Sequence, residues 1–203
     1  MKSMAKIIFV LLTWLVSWTA LADSSPVAML QTTSDQLLSA LKANKASLKR
    51  SPQVVYDIID KILVPRVDLE GMARTVVGRP VWTSASSTQR QAFTEQFKEL
   101  LIHTYSSALS SYNNQTVQFL PIRGDINGKD RVQVNSQILQ PNGPTISVSY
   151  RLVKQSNDWK VFDFSVDGIS MLESFRSQFA AELNQGNIDT LINKLAQHNE
   201  QTS

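Results

Sequence analysis

The sequence predicts an α+β fold, in which helices pack on one face of a four-stranded antiparallel sheet. Three observations predict it. Apolar residues recur at helical spacing up to about residue 112, they alternate with polar residues between residues 116 and 166, and helical spacing then returns as far as residue 195. No linker long enough to divide the chain interrupts this order, so we expect one domain over residues 23–203.

The first 22 residues have the features of a secretory signal peptide. Lys2 and Lys6 form a short basic region, residues 7–16 are almost wholly apolar, and Ala20-Leu21-Ala22 supplies a small-x-small cleavage site. The apolar run is shorter than the roughly 20 residues that a membrane-spanning helix needs, which disfavours an uncleaved anchor. We therefore expect residues 1–22 to be removed on export.

The charge of the chain changes when that segment is taken away. Without Lys2 and Lys6 the chain holds 18 basic and 17 acidic residues, so its net charge falls from +3 to +1. A nearly neutral protein lacks the basic surface that neutralises nucleic-acid phosphates, so nucleic acid is not an expected partner. The whole chain also contains no cysteine, which excludes disulfides, thiolate metal sites and a cysteine nucleophile.

Several helices are predicted before the sheet. The apolar spacing of residues 30–41 indicates the first, and the polar stretch 42–50 ends it. Ser51-Pro52 opens a second helix, with Ser51 expected to accept from the first free amides, and Pro65 stops it. Residues 68–78 form a third, which begins at Asp68, ends at a left-handed Gly78 and is prevented from continuing by Pro80.

Residues 86–112 carry the strongest helical pattern in the chain. Ser86 and Gln89 have the spacing of a capping box, which predicts that the helix begins there. Behind them a stripe of apolar and aromatic residues recurs at steps of three and four. Its members are Phe93, Phe97, Leu100, Leu101, Tyr105, Ala108, Leu109 and Tyr112. The pattern predicts one long amphipathic helix that buries this stripe.

Four strands are predicted near residues 116–123, 131–139, 145–154 and 159–166. The turns between them are short, which makes the sheet an antiparallel meander. The last strand is apolar on both faces, with Trp159 and Val161 on one face and Phe162, Phe164 and Val166 on the other. Either this strand is central and covered twice, or a bulge shifts its register.

Two helices are predicted after the sheet. Gly168 closes the sheet, and Ser170 with Glu173 repeats the capping-box spacing at the start of the first helix. Gly186 ends that helix, and the last one opens near Asn187. The aromatic-rich face of the first helix is formed by Met171, Leu172, Phe175, Phe179 and Leu183.

Motifs for catalysis or metal binding are missing from the sequence. Its two histidines, His103 and His198, have no nucleophile or acid at a suggestive spacing, and the seven glycines mark turns and helix ends. We therefore expect no enzyme activity, no metal and no cofactor. The acid pairs Asp163 with Asp167, and Asp57 with Asp60, could act in a cleft, but spacing alone does not place either pair in one. Asp167 before Gly168 has the character of a turn residue.

Large apolar residues are predicted on three elements that would face one another: the long helix, the sheet and the helix after the sheet. A dry, packed core is the simpler interpretation, because periodicity shows which face is buried and not what fills the space. A ligand cavity is the alternative interpretation of the same pattern.

Three stretches of the sequence resemble a known family, the periplasmic phospholipid-binding MlaC proteins, also called the toluene-tolerance Ttg2-type family. D-L-E-G-M-A-R at residues 68–74, with Gly78 and Trp82, is similar to the family's D-F-x-x-M-A-R stretch. Residues 89–112 match its Q-R-x-x-F helix, and residues 159–170 resemble its W-K-V-Y-D-V-x-V-E-G-V-S run. Phe175-Arg176 and Phe179 follow in the same order. The resemblance covers roughly residues 30–195.

The resemblance implies an apolar lipid pocket between helices and sheet, and a soluble monomeric periplasmic carrier. Such a carrier moves phospholipid between an outer-membrane lipoprotein and porin complex and an inner-membrane ABC transporter, which maintains outer-membrane lipid asymmetry. The apolar faces then give the expected pocket wall: Met72, Val76, Phe93, Phe97, Leu101, Tyr105, Val134, Val148, Tyr150, Phe162, Phe164, Met171, Phe175 and Phe179. Two alternatives stay open, a small-molecule enzyme on a cone-shaped α+β scaffold with an acid such as Asp163 in its pocket, and a solid module that only docks to other proteins.

Overall fold

A computed structural model describes residues 25–48, 50–156 and 158–202. The predicted signal peptide, residues 1–22, lies outside this part of the chain. Within it, helices precede and follow an open antiparallel sheet, so the α+β class is confirmed. No helix in the described ranges is both long and apolar enough to cross a membrane.

The first helices follow the predicted order with two differences. Helix α1 spans Pro26–Ala43 and α3 spans Pro52–Ile62, followed by a short 3-10 turn at Val64–Arg66. The stretch expected only to end α1 also contains a single helical turn, α2, at Lys45–Leu48. Ser51 does precede α3, but its side chain makes no capping hydrogen bond. Pro52, whose fixed φ suits a first helical turn, is the residue that makes this start favourable.

Helix α4 spans Leu69–Val77 and has the predicted caps. The Asp68 carboxylate accepts from the Gly71 amide at 3.0 Å, and Gly78 follows with a φ of 83°. Pro80 does not keep the chain out of a helix, however, because a further short helix, α5, spans Arg79–Ser84. Proline is tolerated in a first turn, where its missing N–H would have no partner.

The long helix α6 spans Ser87–Ser110, and its capping box is confirmed. The Gln89 amide donates to the Ser86 hydroxyl at 3.2 Å, and the Ser86 amide donates to the Gln89 side chain at 2.9 Å. At 1.5 Å per residue a helix of this length reaches about 36 Å, so it can contact several parts of the fold.

The sheet has five strands in sequential order, where four were predicted. The strands are β1 (Thr116–Phe119), β2 (Arg131–Leu139), β3 (Ile146–Gln155), β4 (Asp158–Val166) and β5 (Ile169–Ser170). All neighbouring pairs are antiparallel. The fifth strand has only two residues, which is too short for an alternating pattern to reveal. It pairs with β4 across a tight turn in which Asp167 and Gly168 have φ values of 47° and 86°.

A bulge in β4 explains why this strand is apolar on both faces. Arg151 of β3 pairs with Asp163, but the next residue, Leu152, pairs with Val161, so Phe162 is an extra residue. Beyond the bulge Phe164 pairs with Tyr150, which puts it back on the face of Val161. The predicted grouping of Phe164 and Val166 with Phe162 is therefore wrong, because strict alternation was assumed through the bulge.

Helices α7 (Met171–Gln185) and α8 (Ile188–Thr202) complete the fold. The Glu173 amide donates to the Ser170 hydroxyl at 3.2 Å, which is half of the predicted capping box. The Thr190 amide donates to the Asn187 side chain at 3.0 Å, at the predicted start of α8. Helices α4 and α7 pack against β4, whereas α1 packs on β1 and β2.

The buried apolar residues form three separate clusters. The helical cluster lies between α4, α5, α6, α7 and α8; the sheet cluster joins the start of α1 to the sheet; the N-terminal cluster joins the rest of α1 to α2, α3 and α6. Domains of this size usually have one contiguous core with small satellites. Several large apolar side chains, among them Tyr105 and Phe164, belong to none of the three clusters and are only half-buried.

Candidate functional site

One face of the sheet is apolar from β1 to β4. The register puts Val117 and Phe119 beside alternate residues of β2, and continues across β3 to Val161 and Phe164 of β4. The other apolar members of this face are Val132, Val134, Ile138, Ile146, Val148, Tyr150, Leu152, Trp159 and Val166, and the face also carries Ser136 and, at the end of β3, Lys154. The predicted alternation in β2 and β3 is confirmed by this register.

Helix α1 covers only part of that face. Met29 and Leu30 of α1 pack with Val134, Leu152 and Trp159 in the sheet cluster. The other end of the face, toward the β4–β5 turn, carries apolar side chains that belong to none of the three clusters. Among the described residues these are the half-buried Val117, Ile138, Ile146, Phe164 and Val166, together with the buried Val148.

Tyr105, near the C-terminal end of α6, lies against this uncovered end of the face. Phe93 and Phe97 of α6 enter the helical cluster and Ile102 enters the N-terminal cluster, so the helix connects the two. Tyr105 reaches the sheet, where its ring lies edge to face with Phe164 at a centroid distance of 5.1 Å. Its hydroxyl contacts the sulfur of Met171 at the start of α7. We call the half-buried set Tyr105, Ile138, Ile146, Tyr150, Phe164, Val166 and Met171 the inter-cluster surface.

Two tyrosines on the inter-cluster surface have raised pKa values. Burial raises the pKa of Tyr105 to about 12, and the negative charge of Asp163 adds to the effect. Burial also raises the pKa of Tyr150, against a lowering by the hydrogen bond from Ser136. Both phenols are therefore neutral at physiological pH and present an O–H group to an apolar surrounding.

Asp163, the acid considered for catalysis, holds parts of the fold together through its hydrogen bonds. It is fully buried, and its carboxylate accepts from the Arg151 guanidinium, from the Ser170 hydroxyl at 2.8 Å and from the Leu172 amide at 3.1 Å. These bonds join β3 and β4 to the first turn of α7, where an anion is also favoured by the helix dipole. Asp163 lies on the face opposite Phe164, because it pairs with Arg151.

Two surface clefts lie away from the inter-cluster surface. One, of about 340 Å³, is lined by Val81, Gln89 and Ile188, and the other, of about 310 Å³, by Pro26, Lys129 and Trp159. None of the fourteen residues expected in the pocket wall lines either cleft.

The fold and the motifs together point to one family. A family model described as MlaC protein matches residues 31–197, which includes every stretch that carried the resemblance. The chain belongs to the MlaC family. The resemblance inferred from residues 68–82, 89–112 and 159–179 is thereby confirmed.

Curated MlaC relatives match along most of this chain. The intermembrane phospholipid transport system binding protein MlaC of Haemophilus influenzae is 34% identical over 192 residues, which is 93% of this chain and 89% of that protein. The toluene tolerance protein ttg2D of Pseudomonas putida is 35% identical over 168 residues, which is 83% of this chain and 77% of that protein.

A solved structure shares the fold. It is the phospholipid-binding protein from Ralstonia solanacearum in complex with a phospholipid, which is 31% identical to this chain. The superposition has a TM-score of 0.82 and covers 88% of this chain and 99% of the other. The shared fold therefore extends over most of this chain.

The structure of this MlaC chain divides the fourteen expected wall residues into two groups. Six lie inside the helical cluster, and two more, Leu101 and Phe162, are half-buried at its margin. The six are Met72, Val76, Phe93, Phe97, Phe175 and Phe179. The other group lies on or beside the apolar face of the sheet: Tyr105, Val134, Val148, Tyr150, Phe164 and Met171.

The aromatic residues of the helical cluster are packed against one another. Phe97 contacts Phe93, Phe175 and Phe179 with ring centroids 5.5–6.0 Å apart, and Phe93 and Phe97 are completely buried. Such distances are those of stacked and edge-to-face pairs in a protein interior. Ring contacts thus fill the space between α6 and α7.

Phe162 occupies a different environment from Phe164. The guanidinium groups of Arg131 and Arg151 lie 4.9 and 5.4 Å from the centre of its ring, on the polar face of the sheet. The sequence-based grouping missed this position because the bulge was not located. It also missed Ser136, whose signal was present: Ser136 is the one polar residue in the alternation Val132, Val134, Ser136, Ile138.

Proposed function

We propose that this protein is a phospholipid carrier that holds acyl chains against the inter-cluster surface. The main observation behind this proposal is that the apolar core is divided into three clusters. Outside them, large apolar side chains of α6, α7 and the sheet face one another and are only half-buried. The phospholipid complex of the Ralstonia solanacearum protein, with the same fold, supports phospholipid as the ligand. The expected wall residues on the sheet side, Val148, Tyr150 and Phe164, then contact lipid, whereas those of the helical cluster support the fold.

An apolar surface of this kind can shield the acyl chains of a lipid from water. Each methylene group removed from water contributes about 0.8 kcal/mol, so a lipid with roughly thirty of them does not cross water unprotected at a useful rate. A carrier must replace most of that burial and still release the lipid. Aromatic and methionine side chains, such as Tyr105 and Met171, suit this because they adapt to chains of different shape.

The proposed place of action is the periplasm, as a monomer, after removal of residues 1–22. The name of the Haemophilus influenzae relative, a binding protein of an intermembrane phospholipid transport system, supports movement between two membranes. We therefore propose an outer-membrane lipoprotein and porin complex and an inner-membrane ABC transporter as partners, and maintenance of outer-membrane lipid asymmetry as the result.

The alternative function, a small-molecule enzyme that uses Asp163, is disfavoured by the contacts of this residue. Its carboxylate already accepts from Arg151, Ser170 and Leu172, and it lies across the strand from the apolar face. A general acid or base needs a free position within reach of its substrate. The contacts of Asp163 instead give it the role of fixing α7 to the sheet.

Transfer of phospholipid between vesicles tests the carrier function. Donor vesicles with a self-quenched fluorescent phosphatidylethanolamine are separated from unlabelled acceptor vesicles by a membrane that passes only protein. We expect label to reach the acceptor in proportion to protein concentration, and not without protein. Gln133→Asp, an exposed change on the polar face of β2, is the matched control and should transfer at the wild-type rate. Absence of label from the acceptor at every protein concentration would contradict the proposal.

A further inference from the structure

A serine hydroxyl is buried in the apolar face of the sheet. Ser136 is only 1% exposed, and its cross-strand neighbours are Phe119 of β1 and Val148 of β3. A hydroxyl in such surroundings loses its bonds to water, and this costs free energy unless other polar groups replace them. The position therefore needs a polar partner, which its direct cross-strand neighbours Phe119 and Val148 do not supply.

The polar neighbour of Ser136 is the hydroxyl of Tyr150. Ser136 Oγ donates to Tyr150 Oη across 3.5 Å, whereas a strong O–H···O bond is about 2.7–2.8 Å long. This bond uses the serine proton and one lone pair of the tyrosine oxygen. It leaves the Tyr150 proton for another acceptor, and the raised pKa of Tyr150 means that this proton is present at neutral pH.

The surroundings of Tyr150 define what that acceptor can be. Its cross-strand neighbours are Val134 and Phe164, and the ring of Phe119 lies 6.0 Å from its own. A charged group placed among these side chains would be desolvated without a counter-ion. A neutral carbonyl oxygen that enters together with apolar chains meets no such penalty.

We propose that Tyr150, oriented by Ser136, donates a hydrogen bond to an ester carbonyl of a bound diacyl phospholipid. The inference rests on the proposed function, and it assigns to this pair a preference for ester-linked over ether-linked lipids. An ether-linked chain of equal length fills the same apolar space but has no carbonyl oxygen. The hydroxyl would then stay unpaired in the apolar wall, so the ether lipid binds less tightly.

Competition between two matched lipids tests the proposal. The full-length mature protein is incubated with vesicles that contain equal amounts of dipalmitoyl phosphatidylglycerol and its dihexadecyl ether analogue. Bound lipid is then extracted from the re-isolated protein and measured by mass spectrometry. We expect the ester lipid to be enriched about fivefold, the effect of one neutral hydrogen bond.

Variants assign the preference to the hydroxyl pair. Tyr150→Phe removes only the hydroxyl, and we expect it to abolish the enrichment; Ser136→Ala should reduce it. Ser149→Ala is the matched control, because Ser149 lies on the opposite face of β3 and donates to Asn135 at 2.8 Å. It should keep the wild-type ratio.

The outcomes separate this inference from the carrier function. Equal binding of both lipids by the wild type would overturn the inference and leave the carrier function intact. Enrichment that persists unchanged in Tyr150→Phe would also overturn it, since another group would then select the ester. Binding of neither lipid would overturn the carrier function and the inference together.

Discussion

Tyr105 of α6 and Phe164 of β4 lie edge to face, with ring centroids 5.1 Å apart. Each ring is half-buried, although Phe93 and Phe97, which precede Tyr105 on α6, are completely buried. The pair thus joins helix and sheet in the region that belongs to none of the three core clusters. With acyl chains in this region, Phe164 is a residue of the pocket wall. Phe97, which lies about two turns before Tyr105 on α6, is a residue of the packed core.

A charge at position 164 should remove lipid without unfolding the protein. Phe164→Asp places a carboxylate on the apolar face opposite Tyr150, where acyl chains would have to desolvate it. We expect at least tenfold less phospholipid per protein after purification, with an unchanged far-ultraviolet circular dichroism spectrum. Gln133→Asp adds the same charge to the polar face and should keep its lipid. Full lipid occupancy in Phe164→Asp would show that the wall lies elsewhere.

Truncation at position 97 should act on stability instead. Phe97 is completely buried between three other phenylalanine rings, so Phe97→Ala leaves a cavity in the helical cluster. We expect a loss of about 3–5 kcal/mol in the free energy of unfolding, measured by urea denaturation. A loss below about 1 kcal/mol would mean that the cluster is loosely packed and open to ligand.

Loss of the Asp163 carboxylate should destabilise the junction between β4 and α7. Asp163→Ala removes the acceptor of Arg151, Ser170 and Leu172. We expect about 3 kcal/mol of destabilisation, because the buried donors lose their partner while the partly exposed Arg151 can be rehydrated. Asp158→Ala, at the exposed start of the same strand, should change stability by less than about 0.5 kcal/mol. Equal effects of the two substitutions would contradict this structural role.

Alkaline pH should weaken the fold partly through Tyr105. The folded protein keeps the Tyr105 proton up to about pH 12, whereas the unfolded chain loses it near the ordinary pKa of 10.0. The stabilisation that Tyr105 gives to the folded state is therefore fully present below pH 10.0, and it is lost as the pH rises from there toward 12. Urea midpoints at about pH 9 and about pH 11 should fall further for the wild type than for Tyr105→Phe. Parallel falls in both proteins would show that Tyr105 titrates normally.

Much of the fold could be predicted from local signals in the sequence. The capping box at Ser86, the Asp68 cap and the left-handed Gly78 each depend on side chains within a few residues, and all three are found. The alternation of apolar and polar residues in β2 and β3 predicted the apolar face of the sheet correctly. Side chains of a strand alternate between its two faces whatever element covers them.

Other features depended on contacts that no local pattern shows. The extra residue Phe162 reverses every later side chain of β4, and its position is set by the pairing with β3. Helix α5 was missed because Pro80 both ends one helix and suits the first turn of the next. The apolar stripe of α6 also could not reveal that Phe97 enters a packed cluster, whereas Tyr105 reaches half-buried residues of the sheet.

Native mass spectrometry of the protein, isolated without detergent from the envelope of its own cell, tests the carrier function most directly. We expect the folded protein to carry additional mass that dissociates on activation and is identified as phospholipid with two acyl chains. A spectrum that contains only the mass of the bare polypeptide, from protein that is folded and able to meet membranes in the cell, would contradict the proposed function.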